Sequence, residues 1–298
     1  MKKLLLSLVV ALAAAPASAK LSVVATIPDL ADLARRVGGD RVSVDSLAKG
    51  TEDLHAIPQR PSFLPRLNRA DAVVALGLNA EHTFLPALLE AAQNPKVLPG
   101  SEGYIDCSQK VRPLEVPQTL TRAEGEQHPQ GNPHYNLDPR AGAAIADALA
   151  AGFARLDPAG MEEYRKNADV FKKELAVRLE GWRKDVSPLK GLKAVSQHRD
   201  MAYLADFAGL VMIGETEPKP GIAPTPKHLA ALSGRMKAEG ARLLIREAHF
   251  APGSANWLSE QTGAKTAVVA VMGGAFPDSK DYFGMIDHNV RALVEAAR

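Results

Sequence analysis

Several features that define common protein classes are missing from this sequence. Only one of its 298 residues is a cysteine, Cys107, so no internal disulfide can form and stability must come from a packed core. Aromatic residues make up 5% of the chain, which argues against a carbohydrate-binding groove lined with Trp and Tyr. The formal net charge is +2 and the basic residues are scattered, so no nucleic-acid partner is predicted.

Long apolar runs are also absent, except at the start of the chain. Two lysines precede an apolar stretch at residues 4–15, and a small-x-small sequence follows at residues 17–19. This pattern predicts a signal peptide, residues 1–19, with cleavage after Ala19. The stretch is short for a membrane span, which disfavours the alternative of an N-terminal anchor helix. We therefore expect an exported, periplasmic protein, without lipid attachment because no cysteine stands at the cleavage point.

The rest of the chain alternates between short apolar runs and amphipathic segments. Apolar runs between turn signals predict buried strands, and apolar residues at helical spacing predict helices. Alternation of this kind is typical of parallel sheets covered by helices. The predicted strands are residues 21–28, 41–47, 71–77, 96–100, 192–198, 210–215, 241–247 and 264–271. The predicted helices are residues 29–39, 62–70, 83–93, 139–152, 158–186, 201–210, 225–240, 254–263 and 281–297.

The central helices divide this pattern into two halves. The helix at residues 158–186 is much longer than the others and separates two series of strand–helix units. We therefore predict an α/β fold with two lobes of mostly parallel sheet joined by one long helix. The predicted domains are a signal peptide, an N-terminal lobe, a helical segment and a C-terminal lobe, at residues 1–19, 20–140, 141–187 and 188–298.

A histidine framed by prolines stands out in the segment GNPHYNLDP, residues 131–139. Pro133 and Pro139 restrict the backbone on both sides of His134. Taken alone, the segment is typical of a capped turn that happens to contain a histidine. Its interpretation therefore depends on the other histidines of the chain.

Two further histidines follow predicted strands. His55 comes after the strand at residues 41–47, and His198 ends the strand at residues 192–198. Ligands of open α/β sheets bind at the carboxyl ends of the strands, so a cleft between the lobes would bring these two and His134 together. Three neutral imidazoles suit Zn²⁺, which prefers four tetrahedral donors. The chain has neither HExxH nor CxxC, so spacing alone only suggests such a site.

The remaining histidines that we considered give weaker signals. His82, His228 and His288 are predicted to lie on helices as solvated or packed residues. His128 stands in a polar loop near His134, where it either helps to deliver metal or simply belongs to a flexible polar segment. The composition of the loop favours the second interpretation.

Segments around His55, His134 and His198 match those of a known family, in the same order along the chain. GTEDLHAIPQRPSFLPRLNRADAVVALGL is similar to its first-ligand segment, NPHYNLDP to its DPHxWLDP, and AVSQHRDMAYLADFAGL to the segment with its third histidine. EPKPGIAPTPKHLAAL and SEQTGAK also match. The chain thus resembles the periplasmic solute-binding proteins of zinc and manganese ABC transporters, the cluster A-I or ZnuA-like group. The resemblance implies paired lobes, a rigid connecting helix, and His55, His134 and His198 as metal ligands.

Two departures from this family affect the rest of the metal site. Met272, Gly273 and Gly274 stand where the family commonly places an aspartate. Many zinc members carry a long His- and Asp-rich loop before the second histidine, but here this loop is short and His128 is its only histidine. The fourth ligand must therefore come from another residue or from water.

Glu247 is our candidate for this fourth ligand. It ends the predicted strand at residues 241–247, and its charge would offset part of the charge of the ion. The alternatives are a water ligand and a Glu247 that only orients a histidine through its N–H. The rival carboxylates are Asp278, Asp281, which also suits the N-cap of the last helix, and Glu217.

The resemblance implies a non-enzymatic protein that captures a divalent metal between its lobes and delivers it to the permease of an ABC transporter. Histidine at the third position favours Zn²⁺ as the transported ligand over Mn²⁺, for which a carboxylate is expected there. The alternatives are a zinc-dependent hydrolase, for which no motif assigns a general base, and a metal-binding surface adhesin. We expect a monomer whose partners are the metal ion and the permease.

Overall fold

Two four-stranded parallel sheets form the framework of the molecule. The computed structural model describes residues 19–120 and 128–298. The strands are β1 Leu21–Ala25, β2 Val42–Ser46, β3 Ala72–Ala75, β4 Tyr104–Asp106, β5 Lys193–Ser196, β6 Val211–Glu215, β7 Leu243–Glu247 and β8 Lys265–Val269. The strand orders are β2-β1-β3-β4 and β6-β5-β7-β8, and every pair is parallel. β1 and β3, with the sequences LSVVA and AVVA, are nearly continuous apolar runs, as expected for strands covered on both faces.

Both sheets share one topology. In each sheet the second strand of the chain lies on one side of the first, and the third and fourth lie on the other side. The strand order therefore reverses between β1 and β3 in the first sheet, and between β5 and β7 in the second. Such reversal points open a crevice at the carboxyl ends of the strands, which is where open α/β sheets bind ligands.

Helices cover the sheets and connect them. They are α1 Pro28–Gly38, α2 Leu64–Arg69, α3 Leu85–Ala92, α4 Gly142–Leu156, α5 Met161–Val186, α6 Ala202–Ala208, α7 Pro226–Glu239, α8 Gly253–Thr262 and α9 Tyr282–Ala296. Helix α5 has 26 residues and packs against α1, α4 and α9. At ~1.5 Å per residue it is about 39 Å long, so it runs along both halves of the molecule.

An aromatic and cationic cluster ties the long helix to helices from both halves. The ring of Phe171 on α5 stacks on that of Phe283 on α9, with centroids 5.1 Å apart. The guanidinium groups of Arg36 on α1 and Arg178 on α5 lie 4.8 and 4.5 Å from the centroid of Phe283. The main apolar core continues through this cluster from the first sheet to β5 and β7.

The predicted fold class is confirmed, but one predicted strand is wrong. Residues 96–100 do not form a strand: Pro95–Val97 is a 3-10 turn, and Leu98 is 39% exposed. Gly100 has a φ of 90°, a turn conformation that ends any extended run at this point. The strand that pairs with β3 is β4, in which Ile105 is the buried residue.

The start of the chain is described only from Ala19 onwards. The predicted signal peptide, residues 1–19, therefore lies outside the described residues except for its last one. Among the helices of the described part, none has the length and apolar character needed to cross a membrane. The predicted domain bounds stay a prediction.

Candidate metal site

The three predicted histidines meet at the crevice. Nε2 of His55 lies 3.0 Å from Nε2 of His134. One ring nitrogen from each of His55, His134 and His198 lies within 4.8 Å of the other two. The ring centroids are 4.9 Å apart for the first pair, 5.5 Å for His55 and His198, and 6.0 Å for His134 and His198. His134 and His198 are buried and His55 is half-buried, so the cluster lies below the surface but within reach of solvent.

His55 is presented by a short 3-10 turn, Leu54–Ala56, beyond the end of β2. Asp53 caps this turn, because its Oδ1 accepts the backbone N–H of His55 at 2.8 Å. The side chain of Leu54 is buried in the core. The side chain of Leu54 therefore anchors the turn, while the imidazole of His55 reaches the crevice.

The loop that carries His134 is fixed by hydrogen bonds as well as by prolines. Oδ1 of Asn132 accepts the backbone N–H of His134 at 3.0 Å. The hydroxyl of Tyr135, a fully buried residue, donates to the carbonyl of Leu76 just beyond β3 at 2.5 Å. These bonds hold the His134 backbone against the first sheet.

Asn136 connects the same loop to both halves of the molecule. Its Nδ2 donates to Oδ2 of Asp29 at the start of α1 and to the carbonyl of Val271 beyond β8, each at 2.9 Å. Asp29 also accepts the backbone N–H of Gly273 at 3.2 Å. The loop is therefore locked between the two lobes, two residues from the His134 imidazole.

His198 follows β5, at the reversal point of the second sheet. Its carbonyl accepts the hydroxyl of Ser196 at 2.7 Å. Its Nδ1 lies 2.8 Å from Oε2 of Glu217, and the two side chains are only 11% and 9% exposed. A carboxylate can only accept a hydrogen bond, so Nδ1 carries the proton and Nε2 is the nitrogen available to a metal.

The three imidazoles differ in charge when no metal is bound. Burial lowers the pKa of His55 and of His134 well below the usual value, and the neighbouring imidazoles lower it further. Burial alone would also lower the pKa of His198, but the hydrogen bond to Glu217 and the charges of Asp200 and Glu217 raise it to about 9. His198 is therefore protonated at neutral pH, whereas the other two are neutral and ready to bind metal.

Glu247 ends β7 directly behind His198. Its carboxylate does not belong to the group of donor atoms that lie within 4.8 Å of one another. Oε1 instead accepts the backbone N–H of His198 at 3.3 Å, and Oε2 has no hydrogen-bond partner within the described part of the chain. Burial, together with the neighbouring carboxyl group of Asp200, raises the pKa of Glu247 well above its usual value. Direct ligation by Glu247 stays a prediction.

The rival carboxylates have other contacts. Asp281 caps α9, because its Oδ1 accepts the backbone N–H of Gly284 at 2.7 Å. The sequence offered this N-cap role as the alternative to metal ligation by Asp281. Asp278 pairs with the imidazole of His288 at 3.1 Å. Glu217 contacts Nδ1 of His198, the nitrogen on the side away from a metal at Nε2. Neither Asp278 nor Asp281 belongs to the donor group of the three histidines.

Three more histidines surround this cluster. The sequence already placed His128 in a loop near His134, whereas sequence reasoning missed His82 and His249 as neighbours of the site. The ring centroids of His82 and His128 lie 6.5 and 5.2 Å from that of His55. His82 lies in the turn before α3, so its predicted place on a helix is wrong. His249 stands two residues beyond the end of β7, where its imidazole interacts electrostatically with His198. Its position after a strand end was the one signal that could have found it.

The arrangement suits the binding of a transition-metal ion. Three imidazole nitrogens are the donor set of many zinc sites, and a fourth position remains for a carboxylate or water. A cavity of about 330 Å³ adjoins His134 and His198, with Glu115 and Arg199 on its wall. A small ion can therefore reach the imidazoles through this cavity.

This architecture, with a histidine cluster in the crevice between its lobes, is that of the metal-binding solute-binding proteins of ABC transporters. The chain belongs to the ZnuA family, the periplasmic component A of a zinc-uptake complex, whose family model matches residues 23–296. The resemblance noted in the sequence is thereby confirmed.

Curated relatives match this chain at low identity. The zinc-binding lipoprotein AdcA of Streptococcus pneumoniae serotype 4 is 23% identical over 93% of this chain and 56% of its own length. The high-affinity zinc uptake system protein ZnuA of Brucella abortus is 24% identical over 53% of this chain and 47% of its own length. The chain spans about half the length of the curated relatives it matches.

Solved structures share the fold. A crystal structure of ZnuA matches this chain with a TM-score of 0.79 at 24% identity. The match covers 94% of this chain and 100% of the other. A manganese-bound periplasmic metal-binding protein from Candidatus Liberibacter asiaticus has a TM-score of 0.77 at 15% identity, covering 93% of this chain and 99% of its own. At these identities the comparison establishes the fold alone.

Proposed function

We propose that the protein captures a divalent metal ion, with Zn²⁺ preferred to Mn²⁺, between its lobes and delivers it to the permease of an ABC transporter. The observation that carries this proposal is the meeting of three imidazole nitrogens within 4.8 Å at the crevice. Imidazole suits zinc, whereas manganese prefers carboxylate and water ligands. AdcA is named as zinc-binding and ZnuA as a zinc uptake protein, although one similar structure is manganese-bound.

His55, His134 and His198 are the proposed protein ligands. Oε1 of Glu247 accepts the backbone N–H of His198, which supports a role for Glu247 in holding this histidine in place rather than in binding the metal. Water is then the fourth ligand. Direct ligation by Glu247 is the competing arrangement. A zinc-bound structure decides between them, since a carboxylate ligand lies at ~2.0–2.2 Å from zinc and a supporting residue lies beyond about 3 Å.

An exported protein fits this role. Cleavage after Ala19 would release a periplasmic protein, and the intact mass of protein recovered from the periplasm tests this. Members of this family are components of transport systems rather than enzymes. The proposed partners are the metal ion and the membrane permease, and the protein acts as a monomer.

Zinc titration of metal-free protein, followed by calorimetry with a competing chelator, tests the ligand set. Replacing His55, His134 or His198 with Ala leaves two strong donors, so the tight binding should weaken by at least about 100-fold, or roughly 2.7 kcal/mol. Zinc should raise the melting temperature of the wild type, because it binds the native state.

The control for this series is His228→Ala. The Nε2 of His228 contacts the carbonyl of Glu215 at 2.9 Å and takes no part in the cluster. This variant should bind zinc as the wild type does. A wild-type isotherm for His198→Ala would disprove the three-histidine site.

A further inference from the structure

Asn132 lies on the wall of the cavity that adjoins the imidazoles of His134 and His198. It is only 6% exposed, and its side-chain amide makes contacts on both sides of the crevice. Oδ1 accepts the backbone N–H of His134 at 3.0 Å. Nδ2 donates at 2.8 Å to the backbone carbonyl of Arg199, the residue that follows His198. One amide therefore joins the two backbone segments that carry these imidazoles.

The other polar groups of Asn132 also have partners in the described part of the chain. Nδ2 donates to Oε2 of Glu115 as well, at 2.9 Å. The backbone N–H donates to the carbonyl of Leu114 at 2.8 Å, and the backbone carbonyl accepts the hydroxyl of Tyr203 at 2.7 Å. The polar atoms of Asn132 are thus engaged by the protein, which fits a residue that supports metal ligands rather than one that binds the ion itself.

Tyr203 fixes Asn132 from the C-terminal half of the molecule. It stands on α6, five residues after His198, and its side chain is 2% exposed. Its hydroxyl accepts the backbone N–H of Leu114 at 3.0 Å while it donates to the carbonyl of Asn132. The hydroxyl therefore holds the His134 loop in a fixed place relative to the helix that follows His198.

The two contacts of the Asn132 side chain need both a donor and an acceptor. An aspartate would accept the N–H of His134 but could not donate to the carbonyl of Arg199, and an apolar side chain would do neither. A buried N–H or carbonyl without a partner is costly, so the two segments should shift when the amide is removed.

His55 is held by separate contacts, those of its own 3-10 turn. None of the hydrogen bonds of Asn132 described above reaches this turn. These bonds therefore act on the separation of His134 and His198, whose ring centroids are 6.0 Å apart.

We propose that Asn132 is a positioning residue of the metal site, which holds the imidazoles of His134 and His198 at the separation that one ion requires. This proposal rests on the proposed zinc-binding function and adds how ligands from the two lobes are placed relative to each other. Residues that orient metal ligands through hydrogen bonds typically contribute about 10- to 100-fold to metal affinity. Loss of the Asn132 amide should therefore weaken zinc binding although all three imidazoles remain.

A thermodynamic cycle with His198→Ala tests the positioning role. Zinc is titrated into untagged, metal-free wild type, Asn132→Ala, His198→Ala and the double variant, and binding is followed by calorimetry with a competing chelator where it is tight. Asn132→Ala should weaken zinc binding by about 10- to 100-fold in the wild-type background. In the His198→Ala background the same change should weaken it by less than about threefold, because the separation that Asn132 fixes no longer affects the ion.

Tyr203→Phe is a second, milder variant. It removes only the hydroxyl and keeps the ring in the core, so Asn132 retains its amide but loses one anchor. Zinc affinity should fall by about 2- to 10-fold, the equivalent of one hydrogen bond. Asn256→Ala removes an exposed amide on α8 and should leave zinc affinity unchanged. Circular dichroism of each metal-free variant shows whether it is folded.

The outcomes separate this proposal from the function on which it rests. Wild-type affinity in Asn132→Ala, or equal losses in the two backgrounds, overturns the positioning role and leaves the three-histidine site intact. If Asn132→Ala does not fold, Tyr203→Phe decides in the same cycle, because its loss of affinity must disappear in the His198→Ala background. A wild type that does not bind zinc tightly contradicts the proposed function instead.

Discussion

His198 differs chemically from the two other histidines of the cluster. His55 and His134 are neutral because burial and their neighbours lower their pKa, whereas the hydrogen bond from His198 to Glu217 keeps the pKa of His198 at about 9. The metal-free site therefore holds one proton that an incoming ion must displace. Glu217 retains its hydrogen bond to Nδ1 after that proton leaves Nε2, so it orients the ring in both states.

Zinc affinity should consequently depend on pH well above the ordinary range of histidine. Below the folded-state pKa of about 9, His198 is protonated, and zinc binding releases this proton. The zinc dissociation constant should therefore rise by about tenfold for each unit that the pH falls below this pKa. An unperturbed histidine would give this dependence only below about pH 6.5. Chelator-competition titrations between about pH 7 and 9 measure the slope.

Glu217→Gln is the matched variant for this pH dependence. The amide oxygen can still accept the Nδ1–H of His198, but the negative charge that raises its pKa is gone. The pH dependence should move to lower pH in this variant. A wild-type affinity that does not change across this range would contradict the assignment of a protonated His198.

Among the elements, the loop at residues 131–139 is the one that links the site to both lobes. Asn136 is almost fully buried, and its amide donates at once to Asp29 and to the carbonyl of Val271. The loop therefore transmits any change in the lobe contact to His134, two residues away. This arrangement explains why a rigid segment between two prolines carries a metal-ligand candidate.

Asn136→Leu should weaken both stability and zinc binding. The substitution keeps a similar volume but leaves two buried acceptors without their donor, at a cost of about 1–3 kcal/mol. We expect a lower melting temperature and a lower zinc affinity of the three-histidine site, because the His134 backbone loses its anchor. Asn256→Leu, on the exposed face of α8, is the control and should change stability by less than about 0.5 kcal/mol. Equal behaviour of the two variants would refute the role of the loop.

Helices and strands could be predicted where their apolar residues form a clear pattern in the sequence. Long apolar runs such as β1 and β3 and the 26-residue helix α5 are visible in the sequence because burial imposes their patterns. The strand predicted at residues 96–100 failed because Val97 is buried by a turn, while β4 has three residues and one clear apolar position. Short edge strands give too few residues for a period to appear.

The same limit applies to the site. His55 and His198 could be predicted as partners of His134 because each follows a strand at a known edge of its sheet. The nearness of His82 could not, because it depends on a turn at Leu78 and Asn79 that has positive φ values although it contains no glycine at these positions. Loop geometry of this kind is decided by tertiary contacts rather than by local sequence.

At the scale of the whole molecule, the two lobes are held by close backbone contact as well as by α5. Gly50, in the segment that leads from β2 to His55, lies against the loop that follows β8. A Cβ at this position would lie 2.2 Å from the carbonyl oxygen of Gly273 and 2.5 Å from the backbone nitrogen of Ala275. Together with the long helix, this contact favours small lobe shifts over wide closure.

Gly50→Ala should therefore push the lobes apart. The clashing atoms belong to the backbone, so they cannot rotate away as the end of a side chain would. Overpacking of this kind costs about 1–3 kcal/mol, which lowers the melting temperature by roughly 2–10 °C in a chain of this size. Zinc binding should weaken too, because His55 and His198 approach from opposite lobes. Thermal unfolding and the zinc titration measure the two effects.

Gly234→Ala provides the comparison for this change. Gly234 lies in the middle of α7, a Cβ there meets no other atom within 4 Å, and its φ is not positive. Alanine is the better helix former, so this variant should be more stable than the wild type by ~0.5–1 kcal/mol, with unchanged zinc affinity. If Gly50→Ala instead kept wild-type stability and zinc affinity, the contact between Gly50 and the loop at Gly273 would not be what sets the distance between the lobes.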